Sequence, residues 1–118
     1  MGDALRSWCN PAGEDAREVE LDVGLFAAAI EGYACAARGF VTPDERESLV
    51  EGLATITREL TARFLVDALR EQYFGWDATR FATRGEHNLV RARGQWRLAE
   101  SVRAQRDALD AIVRRVFV

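Results

Sequence analysis

The strongest constraint on folding in this 118-residue chain is Thr42-Pro43-Asp44-Glu45, followed by apolar residues at Leu49, Leu53, Ile56, Leu60 and Phe64. Threonine at an N-cap accepts from the backbone three residues on. Proline at the first helical position gives up an N–H that has no intrahelical partner, and a glutamate at that spacing closes a capping box. The apolar stripe then repeats at helical spacing. Leu65, Val66 and Leu69 widen it around the later turns, so this helix needs packing partners on more than one side.

The neighbouring segments fall into place around it. An earlier helix starts at Asp22, an N-cap residue, carries Leu25, Phe26, Ala29, Ile30, Tyr33, Ala34 and Ala37 at threes and fours, and stops near Gly39, where a C-cap belongs. Residues 1–21, with the Asn10-Pro11 break, Gly13 and a high share of acids, read as an irregular opening segment. Tyr73 to Glu86 holds four aromatics, Gly75 and Gly85 and shows no period, which predicts a long interhelical loop of a kind that is often functional. From Asn88 to the C-terminus, Leu89, Ala92, Trp96, Ala99, Val102, Leu109, Val113 and Val116 predict a third helix, weakened slightly by Gly94. No stretch alternates as a strand does and no repeat is visible. The expected class is all-α, with three main helices and one helical domain over residues 22–118.

Composition narrows the chemistry. All sixteen basic residues are arginines, so no lysine is available for a Schiff base or for clamping a nucleotide phosphate. His87 is the single histidine and Cys9 and Cys35 the only cysteines, too few to close a four-ligand zinc site without help. The net charge of −3 opposes wholesale attraction to nucleic acid or an anionic membrane. The third helix is locally basic, with seven arginines against three acids, but at about 100° per residue they spread around its circumference and form no groove-reading stripe. RNA binding is therefore a weak third idea, and no nucleic-acid partner is expected. The longest mostly apolar run, Val23 to Ala37, is shorter than the roughly 20 residues a bilayer span needs. No membrane association is expected. Met1 leads into Gly2 and Asp3 without a secretory pattern, and the cysteines lack a paired spacing, so a reducing cytoplasm is the expected compartment.

Three groups of residues invite a functional reading beside an ordinary one. Glu59 and Arg63 are four apart, which by itself means a solvated pair worth about 0.2–0.5 kcal/mol. Arg63 also precedes Phe64 and Leu65, which would let a buried stem aim its guanidinium into a cleft. Tyr73, Phe74, Trp76 and Phe81 offer a stacking surface for a sugar or base, or simply anchor the loop to the core. His87 at a helix start reads as a capping or packing residue, with no catalytic role.

The strings at 2–6 (GDALR), 42–45 (TPDE), 59–67 (ELTARFLVD), 73–74 (YF) and 87–93 (HNLVRAR) give the chain a resemblance to the C-terminal part of bacterial N-acetylhexosamine 1-kinases, within the aminoglycoside phosphotransferase and choline kinase-like superfamily. RFLVD and HNLVRAR are the most specific of these. The resemblance implies the late helical part of the larger lobe of a protein-kinase-like fold, in an enzyme that moves the γ-phosphoryl group of ATP to a sugar with Mg2+. It implies substrate-binding roles for Arg63 and Tyr73 and a place beside the active site for Asp3, which follows the glycine of a metal motif whose aspartate would precede Met1. The nucleotide lobe and catalytic aspartate would likewise lie on polypeptide upstream. On this reading the chain carries no catalytic residue, metal ligand or cofactor site of its own. Its partner would be the missing kinase part or another protein, with weak amino-sugar binding. The alternative is a stand-alone helical interaction module derived from such a kinase.

Overall fold

The computed structural model describes residues 1–118, and every regular element in it is helical: α1 (Gly2–Trp8), α2 (Val23–Ala37), α3 (Pro43–Arg70), α4 (Arg84–Ala104) and α5 (Arg106–Phe117). The long central helix begins where its cap predicts. The Thr42 hydroxyl accepts from the Glu45 N–H at 3.3 Å, and the Glu45 carboxylate accepts from the Thr42 N–H at 2.8 Å. α2 likewise starts on Asp22, whose Oδ1 accepts from the Leu25 N–H at 2.9 Å.

Five helices stand where three were expected, and each difference has a local cause. α1 lies inside the segment expected to be irregular. One helix of seven residues is too short to show a period or to hold itself in water, so its stability comes from burying Leu5 and Cys9 completely. Gly2 lets it approach α3, since a Cβ there would come within 2.6 Å of the Gly52 carbonyl oxygen. After the Asn10-Pro11 break, residues 10–21 return as a strap. Asp22 N–H donates to Cys9 O at 2.9 Å, and Leu21 N–H donates to the Ser101 hydroxyl at 2.9 Å.

The expected third helix is two, broken at Gln105. The side-chain amide of Gln105 donates to Leu21 O at 3.1 Å and to Ser101 Oγ at 2.9 Å, tying the break to the end of the strap. α4 also begins four residues before Asn88. The Thr83 hydroxyl caps it by accepting from the Glu86 N–H at 3.1 Å, so His87 and Asn88 fall inside the helix and are buried. At the end of α2 the C-cap is Arg38 in ordinary right-handed geometry, and Gly39 adopts no left-handed turn. Arg38 instead reaches the far end of the chain, donating to Val116 O at 2.7 Å and Val118 O at 2.8 Å.

The main core joins α1, α2, α5, the first half of α3 and the second half of α4 around Leu5, Phe26, Ile30, Leu53, Leu98 and Leu109. A second, small cluster lies further along α3, where Leu60 and Phe64 meet Ala92 of α4, with Ile56 and Phe74 at its edge. The molecule measures 50 × 24 × 21 Å, elongated along α3. No helix is long and apolar enough to cross a membrane.

Candidate functional site

The second half of α3 diverges from the main core and meets the first half of α4 at a tight crossing. Gly85 of α4 sits on the Ala68 carbonyl, where a Cβ would approach to 2.6 Å. Glu71, just past α3, takes the left-handed conformation at φ 52° and is fixed from both sides. Its carboxylate accepts from the Gly85 N–H and its carbonyl accepts from Arg84 at 3.0 Å. The chain leaves this crossing as the 71–83 loop.

Asp67 organises the start of that loop. It is buried at 4 % exposure on the same face as Leu60 and Phe64. Its Oδ1 accepts from the N–H groups of Gln72 (2.8 Å) and Tyr73 (2.9 Å), and its Oδ2 from Phe74 N–H (2.9 Å) and the Asn88 amide (2.8 Å). Burial alone would push this carboxyl up, but the four donors outweigh it and hold the group below the usual aspartate range. The Asn88 bond connects the two sequence strings RFLVD and HNLVRAR.

Among the loop aromatics, Phe74 and Phe81 are anchors, Tyr73 is an outward ring and Trp76 is half-buried. Phe74 packs on Phe64 with centroids 4.5 Å apart, and Phe81 stacks on His87 at 4.2 Å and 12°. These carry the anchoring role. Tyr73 turns outward and is 71 % exposed, with its ring edge against Phe74 at 4.9 Å. Arg63 is half-exposed rather than threaded through the core. Its guanidinium lies 5.4 Å from the centroids of both Tyr73 and Phe74, and 3.6 Å from the Glu59 carboxylate.

Two open grooves meet at Arg63 and Phe74. One, of about 630 Å³, runs along α3 and the loop and is lined by Ala62, Val66, Arg70 and Tyr73. The other, of about 550 Å³, faces α1 and the strap and is lined by Asp3, Arg6, Glu14, Phe64 and Arg91. Arg63 therefore shares one groove with Tyr73 and the other with Asp3. Asp3 points outward and accepts from Arg6 Nε at 2.8 Å.

The strap forms the far wall. Gly94 admits it, since a Cβ there would stand 2.9 Å from the Glu14 carbonyl oxygen. His87 Nδ1 accepts from Asp77 N–H at 3.0 Å, so in this arrangement Nε2 carries the hydrogen and donates to Asp15 Oδ1 at 2.9 Å. Arg80 adds a second contact to Asp15 at 2.9 Å. Burial raises the Asp15 carboxyl, and the His87 and Arg80 hydrogen bonds bring it below its ordinary value. Arg91 ties the same wall to the loop, donating to Gly75 O at 2.6 Å and Asn88 Oδ1 at 3.2 Å. His87 is thus a packing and hydrogen-bonding node. Both cysteines are free, and burial, helped by Asp22, pushes the Cys9 thiol up to about 11, so it stays protonated.

Asp67, Asn88, Arg91 and the strap acids are the residues of this region to which sequence reasoning gave no role. Asp67 carried a signal, because a carboxylate three residues after Phe64 interrupts an apolar stripe at a position that faces inward. Geometrically, the region offers a guanidinium fork, a phenol and an aromatic face beside mixed charges, groups able to donate hydrogen bonds and to stack. No protein-family model matches the chain.

Proposed function

We propose that this chain forms the acceptor-binding wall of a larger ATP-dependent phosphotransferase resembling the N-acetylhexosamine 1-kinases, and that it does not catalyse phosphoryl transfer alone. The observation that carries the reading is that Arg63 borders both grooves, sharing one with Tyr73 and the other with Asp3, three residues marked by the resemblance. In this reading Arg63 donates to ring hydroxyls, Tyr73 offers a face to the sugar ring, and Asp3 borders the reacting end. The groups that hold ATP and Mg2+ belong to other polypeptide. Asp3, the carboxylate that the resemblance sets beside the metal motif, is engaged by Arg6 at 2.8 Å and does not fit the ion as a free ligand.

The test is titration of the purified chain with N-acetylglucosamine and separately with ATP, followed by backbone and side-chain NMR. The sugar should bind weakly, with Kd of about 1 mM or above, and shift resonances around Arg63 and Tyr73. ATP should produce no saturable change. Tight ATP binding, or phosphorylation of a hexosamine by the chain alone, would refute the reading, as would sugar-induced shifts located elsewhere or none at all.

A second reading, a helical interaction module, is favoured by the apolar surface on the outer side of α3. Leu65 and Val66 are about half exposed and Leu69 is 89 % exposed, an arrangement expected of a face that meets a partner. A strictly monomeric species that binds no apolar dye would count against it.

A further inference from the structure

We propose that Asp67 is a positioning residue: its buried carboxylate sets the backbone at 72–74 so that the Tyr73 and Phe74 rings flank the Arg63 guanidinium and give the α3 groove its shape. The consequence for ligand binding rests on the acceptor-wall reading; the positioning itself does not.

The geometry is specific. Three consecutive N–H groups, those of Gln72, Tyr73 and Phe74, converge on one side chain at 2.8–2.9 Å, and the fourth donor is Asn88 from the neighbouring helix. A carboxylate accepts on both oxygens, and only an acceptor-only group suits four donors. Without them this three-residue run, which lies outside any helix, has no secondary structure to hold it. The side chains it presents are the ones that matter to the groove. Phe74 is directed onto Phe64, and Tyr73 is left outward against Arg63. Asp67 lines that groove itself but spends its oxygens on the loop. It therefore shapes the wall and is not assigned a ligand contact.

Asp67→Asn keeps the shape and removes the acceptor-only character. Its amide accepts on one side and donates on the other, so two of the four donors face another donor. Amide exchange measured by NMR should accelerate about ten- to a hundredfold at the affected positions among 72–74, the range expected for losing a charge-assisted hydrogen bond. Amides of the main core, such as those of Val50 and Leu53, should keep their rates. The through-space contacts between the Arg63 side chain and the Tyr73 ring should weaken together with the loop protection. Unchanged exchange at 72–74, or an intact Arg63–Tyr73 contact, overturns the proposal.

Should the variant fail to fold, the unaltered chain supplies the decision through pH. The four bonding partners of Asp67 are neutral. The charged groups around it are Arg63 and Arg70 on α3, Glu71 and Arg84 at the crossing, and Arg91, which bonds Asn88. Because the folded carboxyl is held below its ordinary range, protection at 72–74 is present at neutral pH and lost as pH falls through that lowered value. Loss at 72–74 ahead of the core supports the proposal, and loss only together with the core overturns it. Titration with N-acetylglucosamine separates the two claims. If the unaltered chain binds no sugar, the acceptor-wall reading fails and the exchange data still decide the role of Asp67.

Discussion

Gly94 makes a direct test of how the strap is seated against α4. In an exposed helix interior, replacing glycine with alanine stabilises by about 0.5–1 kcal/mol, because it removes backbone freedom from the unfolded chain. Gly32 in α2 is such a position, since a Cβ there meets nothing within 4 Å. At Gly94 the same atom would lie 2.9 Å from the Glu14 carbonyl oxygen, and relief requires moving backbone. The strap cannot yield freely, because Asp15 in the next position is bonded to His87 and Arg80. Overpacking of this kind costs about 1–3 kcal/mol, so after the propensity gain the net loss for Gly94→Ala is about 1 kcal/mol. The two substitutions should therefore move stability in opposite directions. Thermal unfolding followed by helix circular dichroism measures this, and the midpoint temperatures should separate by several degrees, at about 4 °C per kcal/mol for a chain of this size. If Gly94→Ala stabilises as much as Gly32→Ala, the strap is not packed on α4 as described and the wall of the second groove is wrong.

Three further outcomes follow from the same contacts. Thr42→Ala should cost about 1 kcal/mol by removing the N-cap of the central helix, with fraying confined to its first turn by amide exchange; an unchanged urea midpoint would contradict the cap. Asp15 is held below its ordinary value, so its stabilisation is present above the normal aspartate range and lost as pH falls through the lowered one. The stability gap between the unaltered chain and Asp15→Asn should accordingly narrow on acidification from pH 7, and a gap independent of pH would show the charge to be irrelevant. Arg63→Ala and Tyr73→Ala should each change stability by no more than about 0.5 kcal/mol, as exposed substitutions do, whereas Phe64→Ala should cost about 3 kcal/mol. A loss above 1 kcal/mol at Arg63 would mark its guanidinium as structural.

How far the fold could be read from sequence depended on whether each feature had a local signature. The start of α3 was legible because the Thr42–Glu45 cap is entirely local. The start of α4 had an equivalent signature in Thr83 and Glu86, masked by the aromatic and glycine content of the preceding loop. The break at Gln105 had none. Val102 and Leu109 are seven residues apart, two helical turns, so the apolar spacing runs through the kink unaltered and only the contact with Leu21, distant in sequence, reveals it. α1 depends on Gly2 meeting Gly52 and on burial of Leu5, both long-range facts. For the candidate site, residue type pointed to Arg63 and Tyr73. Asn88 stood within the HNLVRAR string, but its task and that of the strap come from partners that folding brings beside them, Asp67 for Asn88 and His87 for Asp15.

The location of both grooves follows from helix lengths. At 1.5 Å per residue, α3 with 28 residues extends about 42 Å, while α2 with 15 and α5 with 12 extend only about 22 and 18 Å. α5 packs on the first half of α3 and α2 packs in turn on α5 and α1, so the second half of α3 is left to α4 and the loop. Apolar burial there is limited to the small Leu60–Phe64–Ala92 cluster, so the region is held by polar anchors instead: Asp67 beneath the loop, Glu71 at the crossing, and His87 against the strap. Such anchors are directional and fix backbone without covering the neighbouring surface. That is why Leu65, Val66, Leu69 and Tyr73 remain exposed beside a well-defined loop. A larger core at this end would have closed the surface that both functional readings require.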